Sequence, residues 1–341
     1  MNKKSIMAFS ALQILFFHLW INVLPANGIE VFLRTTAYIG VDIFFFMSGF
    51  SLSNRSVDNY LQFELSRFKA VYVKFIIFAV IASIYSGWTF IKFIKVISAV
   101  DLFVKGGGAF LWFLPAIMIV YIIFPLFQKY DQIIRLKVSK KWENIVSAAL
   151  VLCIWFVIGI VIGALTNYKA IFIFYNRIPV FLLGYYLAKS EMFVEWFCTD
   201  TKEKKLFRLL KGVVLICLGT GLIYQFAYRT KLQVPFTDFF YIMVIPASVG
   251  IVLLVSLIKG SKVTKMIGSS TLEMYAIQMI FGFKLANKIY KSSGDAIVTN
   301  IVVFAVIIVA SIVTNLIISK IIDFICIKLS LLCCNVKKSM D

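Results

Sequence analysis

Ser5-Ile-Met-Ala-Phe-Ser-Ala-Leu-Gln-Ile-Leu-Phe-Phe-His-Leu-Trp-Ile-Asn-Val-Leu24 runs for twenty residues without a lysine, an arginine or a carboxylate. A helix needs about 20 mostly apolar residues to cross a bilayer core. Windows of the same kind recur at 34–53, 70–89, 109–127, 145–165, 169–188, 210–228, 236–258, 267–287 and 297–319. Hydrophobic residues make up 61% of the 341-residue chain and charged residues only 15%, against about 25% charged in soluble domains; the mean hydropathy is +0.94. This reads as an all-α polytopic membrane protein, a bundle of about ten transmembrane helices in one domain over residues 1–341. The basic amino terminus lacks a small-residue cleavage site, so the first window is read as a retained helix rather than a signal peptide.

Lysine and arginine orient such a bundle, because cytoplasmic loops are enriched in them. Starting with Lys3 and Lys4 inside, alternate connections hold 24 of the 35 basic residues and the opposite ones ten, with Arg177 inside a span. Both termini are therefore expected in the cytoplasm. The net charge of +19 is then mainly a cytoplasmic-face charge, which anionic lipid headgroups explain. Part of it could hold an anionic cosubstrate. No basic stripe with interleaved aromatics points to nucleic acid. The six cysteines form no Cys-x-x-Cys pair and suggest neither a metal site nor a disulfide framework. Between Trp88 and Val104, apolar residues with Lys92 and Lys95 on one side predict a helix in the outer interface, and Gly106-Gly107-Gly108 permits a sharp turn into the next span.

Ionisable groups at membrane depth are expensive, so each should have a partner or a task. His18 is the chain's single histidine and the only side chain whose ordinary titration lies near neutral pH. A rise of about 1.5 Å per residue puts His18, Asp42 and Arg177 roughly 8 to 12 Å below the outer ends of their helices, in one layer. Asp42 could orient the imidazole, or could pair with Arg177 and merely neutralise it. Glu273 enters from the other side, with Gln278 above it; it could line a polar passage or pair with Lys284 or a loop lysine. Ser48 stands in a Ser-Gly pair of the kind that lets helices approach.

Several stretches resemble the acyltransferase 3 family of bacterial integral membrane O-acyltransferases. Phe17-His18-Leu19 is similar to that family's first-helix histidine, and Gly40-Val-Asp-Ile-Phe-Phe-Phe-Met-Ser-Gly-Phe50 to its most specific motif. Arg67-Phe-Lys69 looks like the basic start of its third span. Leu111-Trp-Phe-Leu114 with Tyr121 and Pro125, Phe181-Leu-Leu-Gly-Tyr-Tyr186, and Gly268-Ser-Ser-Thr-Leu-Glu-Met-Tyr275 resemble later segments. The chain departs from the pattern at Met7 and Ala70, where the family commonly has basic residues, at Lys74 in place of a frequent proline, and at Gln278 in place of a histidine.

The resemblance implies a multi-pass protein of the bacterial inner (plasma) membrane that transfers an acyl group, in the first instance acetyl from acetyl-CoA, to a sugar hydroxyl of a lipid-linked or cell-surface polysaccharide. No metal is implied. A hydroxyl needs a base to attack a thioester, so His18 is the expected base and Asp42 its orienting partner. Trp112 and Arg177 would bind substrate or the developing oxyanion, Glu273 and Gln278 would line the substrate path, and Arg67 and Lys69 would meet coenzyme phosphates. Expected partners are membrane lipids, the glycan acceptor and a second copy of the chain. A carrier of lipid-linked sugars and an inactive scaffold are the competing readings; neither requires a base.

Overall fold

The bundle is built around a backbone-to-backbone approach that only glycine permits. In the computed structural model, which describes residues 2–21, 29–166, 169–198, 201–229 and 243–338, helix α3 (Ile39–Leu52) packs along helix α11 (Ile178–Lys189). A Cβ on Gly49 would fall 2.0 Å from the Phe181 carbonyl oxygen, and one on Gly184 would fall 2.1 Å from that of Phe46. Small residues at such crossings are how helices gain contact where lipid offers no hydrophobic drive for association. Phe45, Phe46, Phe181 and Tyr185 fill the flanks of this seam and are buried.

Around it the chain is helical throughout, with no strand among the described residues. The first helix, α1 (Lys3–Leu19), starts at Asn2, whose side chain accepts from the Ser5 N–H, and lies against α3. Helix α2 (Ile29–Thr36) turns directly into α3. Helices α4 (Tyr60–Arg67) and α5 (Val73–Ser86) are one rod joined by a π-helical turn at Phe68–Tyr72. Short helices α6 (Phe90–Ile97) and α7 (Val100–Lys105) follow, ending in a tight turn at Gly106–Gly108 where Gly106 has φ +53°. The expected interface helix is thus two short helices. Phe90, Ile91 and Ile94 are exposed, while Lys92 lies over the Trp88 ring.

The remaining elements are α8 (Phe113–Lys137), α9 (Glu143–Thr166), α10 (Lys169–Tyr175), α12 (Glu191–Cys198), α13 (Lys202–Ile223), α14 (Ile245–Ser256), α15 (Lys262–Ser269), α16 (Thr271–Ile277), α17 (Phe283–Ser293) and α18 (Ala296–Lys338). Another π-helical turn, Gln278–Gly282, joins α16 to α17.

Among the described residues, seven helices are long and apolar enough to cross a membrane. They coincide with seven of the ten hydropathy windows. The other three windows hold α1, which stops at Leu19, α14, of whose window residues 236–242 lie outside the described residues, and α16–α17. Burial separates centre from rim. The apolar windows of Ala170–Lys189 and Ile29–Leu52 are 67% and 59% buried, whereas that of Glu143–Ala164 is 6% buried. The last is a lipid-facing helix, apolar all round because one side meets protein and the rest hydrocarbon.

One buried carboxylate ties three helices together. Asp131 on α8 accepts from Arg135 Nε at 2.8 Å, Lys189 Nζ at 2.7 Å, Tyr185 OH at 2.8 Å and Ser147 Oγ at 2.8 Å. Arg135 also donates to Glu143 at 2.6 Å and to Asn144 at 2.5 Å. Two cations, two carboxylates and their hydroxyl partners thereby clamp α8, α9 and α11.

Candidate functional site

His18 occupies the last turn of α1, because the helix ends at Leu19 and Trp20 is extended. This corrects the depth expected from a helix continuing to Leu24. The end is fixed from outside: Asn300 of α18 donates to the Ile21 carbonyl and accepts from the Ile21 N–H, both at 2.7 Å. Arg34 of α2 donates to the Phe17 carbonyl at 3.4 Å, and the Trp20 indole donates to Glu30. These contacts replace the helical bonds that the final turn lacks.

A cavity of about 380 Å³ opens beside the imidazole, lined by His18, Leu19, Trp20, Ile21, Arg34, Phe283, Ala286 and Asn287. That volume lies at the lower end of ordinary small-molecule sites. Nδ1 of His18 is buried without a hydrogen bond among the described residues. No hydrogen bond or ion pair among the described residues joins His18 to a carboxylate.

Asp42 has another partner. Its Oδ1 lies 3.3 Å from Arg177 Nε, and both side chains are buried. The Arg177 guanidinium also stands 5.2 Å from the Trp112 ring and donates to the Ile173 carbonyl. Arg177 is held there by the break between α10 and α11, as the N-cap of the new helix, whose first turn holds Pro179. Packing explains why Asp42 misses the imidazole. Tyr38, at the start of α3, stacks edge-on to Phe17 at 6.1 Å. Gly40 fits against Ser10 and Ile14, so Asp42 enters α1's neighbourhood deeper than His18. The expected orienting contact does not form, and the ion pair takes its place.

Glu273 is fully buried and receives Lys74 Nζ at 2.5 Å. Lys74 also donates to Asn315 at 3.1 Å, while Lys284 instead covers the Tyr85 ring at 4.3 Å. Glu273 Oε2 and Gln278 Oε1 are buried without hydrogen bonds, and Gln278 begins the π turn that leads to the cavity wall at Phe283. Arg67 points inward over the Tyr121 and Phe63 rings at 5.6 and 5.3 Å, its Nε buried without a hydrogen bond. Lys69 is exposed. Two residues apart on a helix, the pair cannot face one ligand atom. Ser48 accepts from Tyr121 OH at 3.3 Å.

The eight residues singled out from the sequence therefore separate into four places: His18 at the cavity, Asp42 with Arg177 and Trp112, Glu273 in α16 with Gln278 at the start of the π turn, and Arg67 and Lys69 on opposite sides of one helix. Sequence reasoning missed Arg34, Phe283 and Asn287 on the cavity wall and the Asp131 clamp. Among the described residues no cluster of three or more His, Cys, Asp or Glu side chains could hold a metal ion.

No curated protein and no solved structure matches the chain. A family match covers residues 7–320, a range that includes His18, the Asp42–Arg177 pair, the Lys74–Glu273 pair and every residue lining the cavity. The chain is a multi-pass membrane protein that belongs to the acyltransferase 3 family, described as an acyltransferase domain.

Proposed function

We propose that this acyltransferase moves an acetyl group from acetyl-CoA to a sugar hydroxyl of a cell-surface or lipid-linked polysaccharide, with His18 as general base. The observation that carries the reading is the imidazole of the chain's only histidine standing at the wall of a cavity in a member of this family. With Nδ1 buried, Nε2 is the nitrogen left to serve the cavity.

The step balances without any other reactant. Nε2 takes the proton of the acceptor hydroxyl as its oxygen attacks the thioester carbonyl carbon. The tetrahedral oxyanion then collapses, the C–S bond breaks, and the imidazolium returns the proton to the departing thiolate. The products are the sugar ester and free coenzyme A. Asp42, Arg177 and Trp112 support this from outside the cavity by fixing α3 against α11, and the Asp42 carboxylate neutralises Arg177 there.

Both termini lie on the cytoplasmic side in this reading, in a bacterial inner membrane, and the coenzyme approaches from that basic face. Arg67 fits a phosphate, because its Nε is a buried donor that no group among the described residues satisfies. Lys69 would act at the exposed rim.

The test is the mass of surface glycans from a deletion strain, complemented with wild-type protein or with His18→Ala. Loss of acetyl groups on deletion, restored by wild type and not by His18→Ala at equal protein amounts, is expected. Full acetylation with His18→Ala refutes the base assignment, and glycans unaltered by deletion refute the acyl-acceptor assignment.

A further inference from the structure

The cavity at His18 has two chemically different walls. One is the end of α1 together with Arg34. The other is a single face of α17, made by Phe283, Ala286 and Asn287, positions i, i+3 and i+4 of a helix. The Phe283 ring stands at 70° to the imidazole with centroids 6.4 Å apart, and 45% of the residue is exposed. Asn287 is exposed, and no described residue engages its amide.

This wall is set by local structure. The π turn at Gln278–Gly282 inserts an extra residue before α17, which rotates everything after it by about 100°. Gly282 then lets α17 close onto the end of α1, since a Cβ there would fall 2.6 Å from Leu19 Cδ1. The consequence is an exposed aromatic ring and an unengaged amide facing the base across the same cavity.

Those two groups match a pyranose. An aromatic face packs against the apolar C–H face of a sugar ring, and a primary amide, both donor and acceptor, can bridge neighbouring hydroxyls. A coenzyme phosphate would instead ask for clustered cations, and among the described residues of the lining Arg34 is the only arginine or lysine. We infer that Phe283 and Asn287 are the acceptor-recognition residues: they hold one pyranose unit of the glycan so that a hydroxyl reaches His18. This rests on the acyl-transfer reading of the cavity given above.

The experiment uses membranes from the deletion strain carrying full-length variants, supplied with radiolabelled acetyl-CoA and increasing amounts of the organism's own surface glycan after mild alkaline de-O-acetylation. Phe283→Ala, Phe283→Leu and Asn287→Ala are each expected to raise the acceptor concentration for half-maximal transfer about tenfold. The limiting rate and the half-saturating acetyl-CoA concentration should stay near wild type. Phe283→Leu keeps the apolar volume and so isolates the ring, and Phe283→Trp should retain acceptor affinity. An unchanged acceptor half-saturation in Phe283→Leu and Asn287→Ala overturns the inference, as does a shift in the acetyl-CoA value alone, which would make this wall a donor site. His18→Ala run alongside separates the two claims. If it abolishes transfer while the wall variants behave as wild type, only the recognition role fails; if it transfers normally, the acyl-transfer reading itself fails.

Discussion

Asp42 on α3 holds its Oδ1 3.3 Å from Nε of Arg177, at the junction of α10 and α11, with 0% and 2% of the two side chains exposed. The pair neutralises two charges that neither lipid nor apolar side chains would accept singly. Its position on the central α3–α11 seam makes it a structural element first.

Removing one member should therefore cost more than removing both. Arg177→Met leaves the fully buried Asp42 carboxylate without its counter-ion, worth about 3–5 kcal/mol. The double variant Asp42→Asn with Arg177→Met should recover most of that loss. Thermal unfolding of detergent-purified protein measures it. A double variant as unstable as Arg177→Met alone would show that the two groups are not coupled.

The glycine seam gives a sharper contrast. Gly49→Ala and Gly184→Ala each drive a methyl into a facing backbone carbonyl, an overpacking of about 1–3 kcal/mol or more. Gly221, in α13, has nothing within 4 Å of its virtual Cβ; Gly221→Ala should be neutral or stabilising by up to about 1 kcal/mol, since alanine is the better helix former. Unfolding midpoints of the three variants in one detergent decide the matter, and a destabilised Gly221→Ala would contradict the packing described for α13.

Lys74 stands seven residues beyond Arg67 on the same helical rod. Its Nζ serves Glu273 and Asn315. Lys74→Met should destabilise the protein by about 3–5 kcal/mol, because Glu273 is left charged and buried. Adding Glu273→Gln should restore much of the loss. Acetyl-CoA affinity, measured by isothermal titration on the stable double variant, should match wild type. A large loss of affinity in that double variant would place Lys74 at the coenzyme site beside Arg67.

Much of this molecule could be read along the chain, and the failures have a common physical cause. Apolar length located seven of the long helices, and shared depth brought Asp42 and Arg177 into one layer. Depth, however, carries no azimuth. It cannot tell whether Asp42 meets His18 or Arg177, which depends on how Gly40 seats α3 on α1. Helix ends were equally hidden: α1 stops at Leu19 under the hold of Asn300, which lies 279 residues away from Ile21 in sequence. The α17 wall escaped because a π turn leaves no hydropathy signature. Asp131 lies four residues beyond the apolar window 109–127, on a helix that runs on to Lys137.

That last carboxylate yields the most asymmetric expectation. Four groups converge on Asp131, two of them cationic. Asp131→Ala takes the carboxylate from Lys189 and from the buried Tyr185 hydroxyl and leaves Arg135 only Glu143 and Asn144, and should cost about the 3–5 kcal/mol of a broken buried pair. Lys189→Met removes one cation but leaves Arg135 to satisfy the carboxylate, and Arg135 keeps Glu143 as a second partner. Its cost should be well under half that of Asp131→Ala. The same ordering should appear in amide exchange: the α8, α9 and α11 termini near Ser147 and Lys189 should lose protection in Asp131→Ala and largely keep it in Lys189→Met. Equal losses in the two variants would mean that Lys189, rather than the carboxylate, organises the clamp.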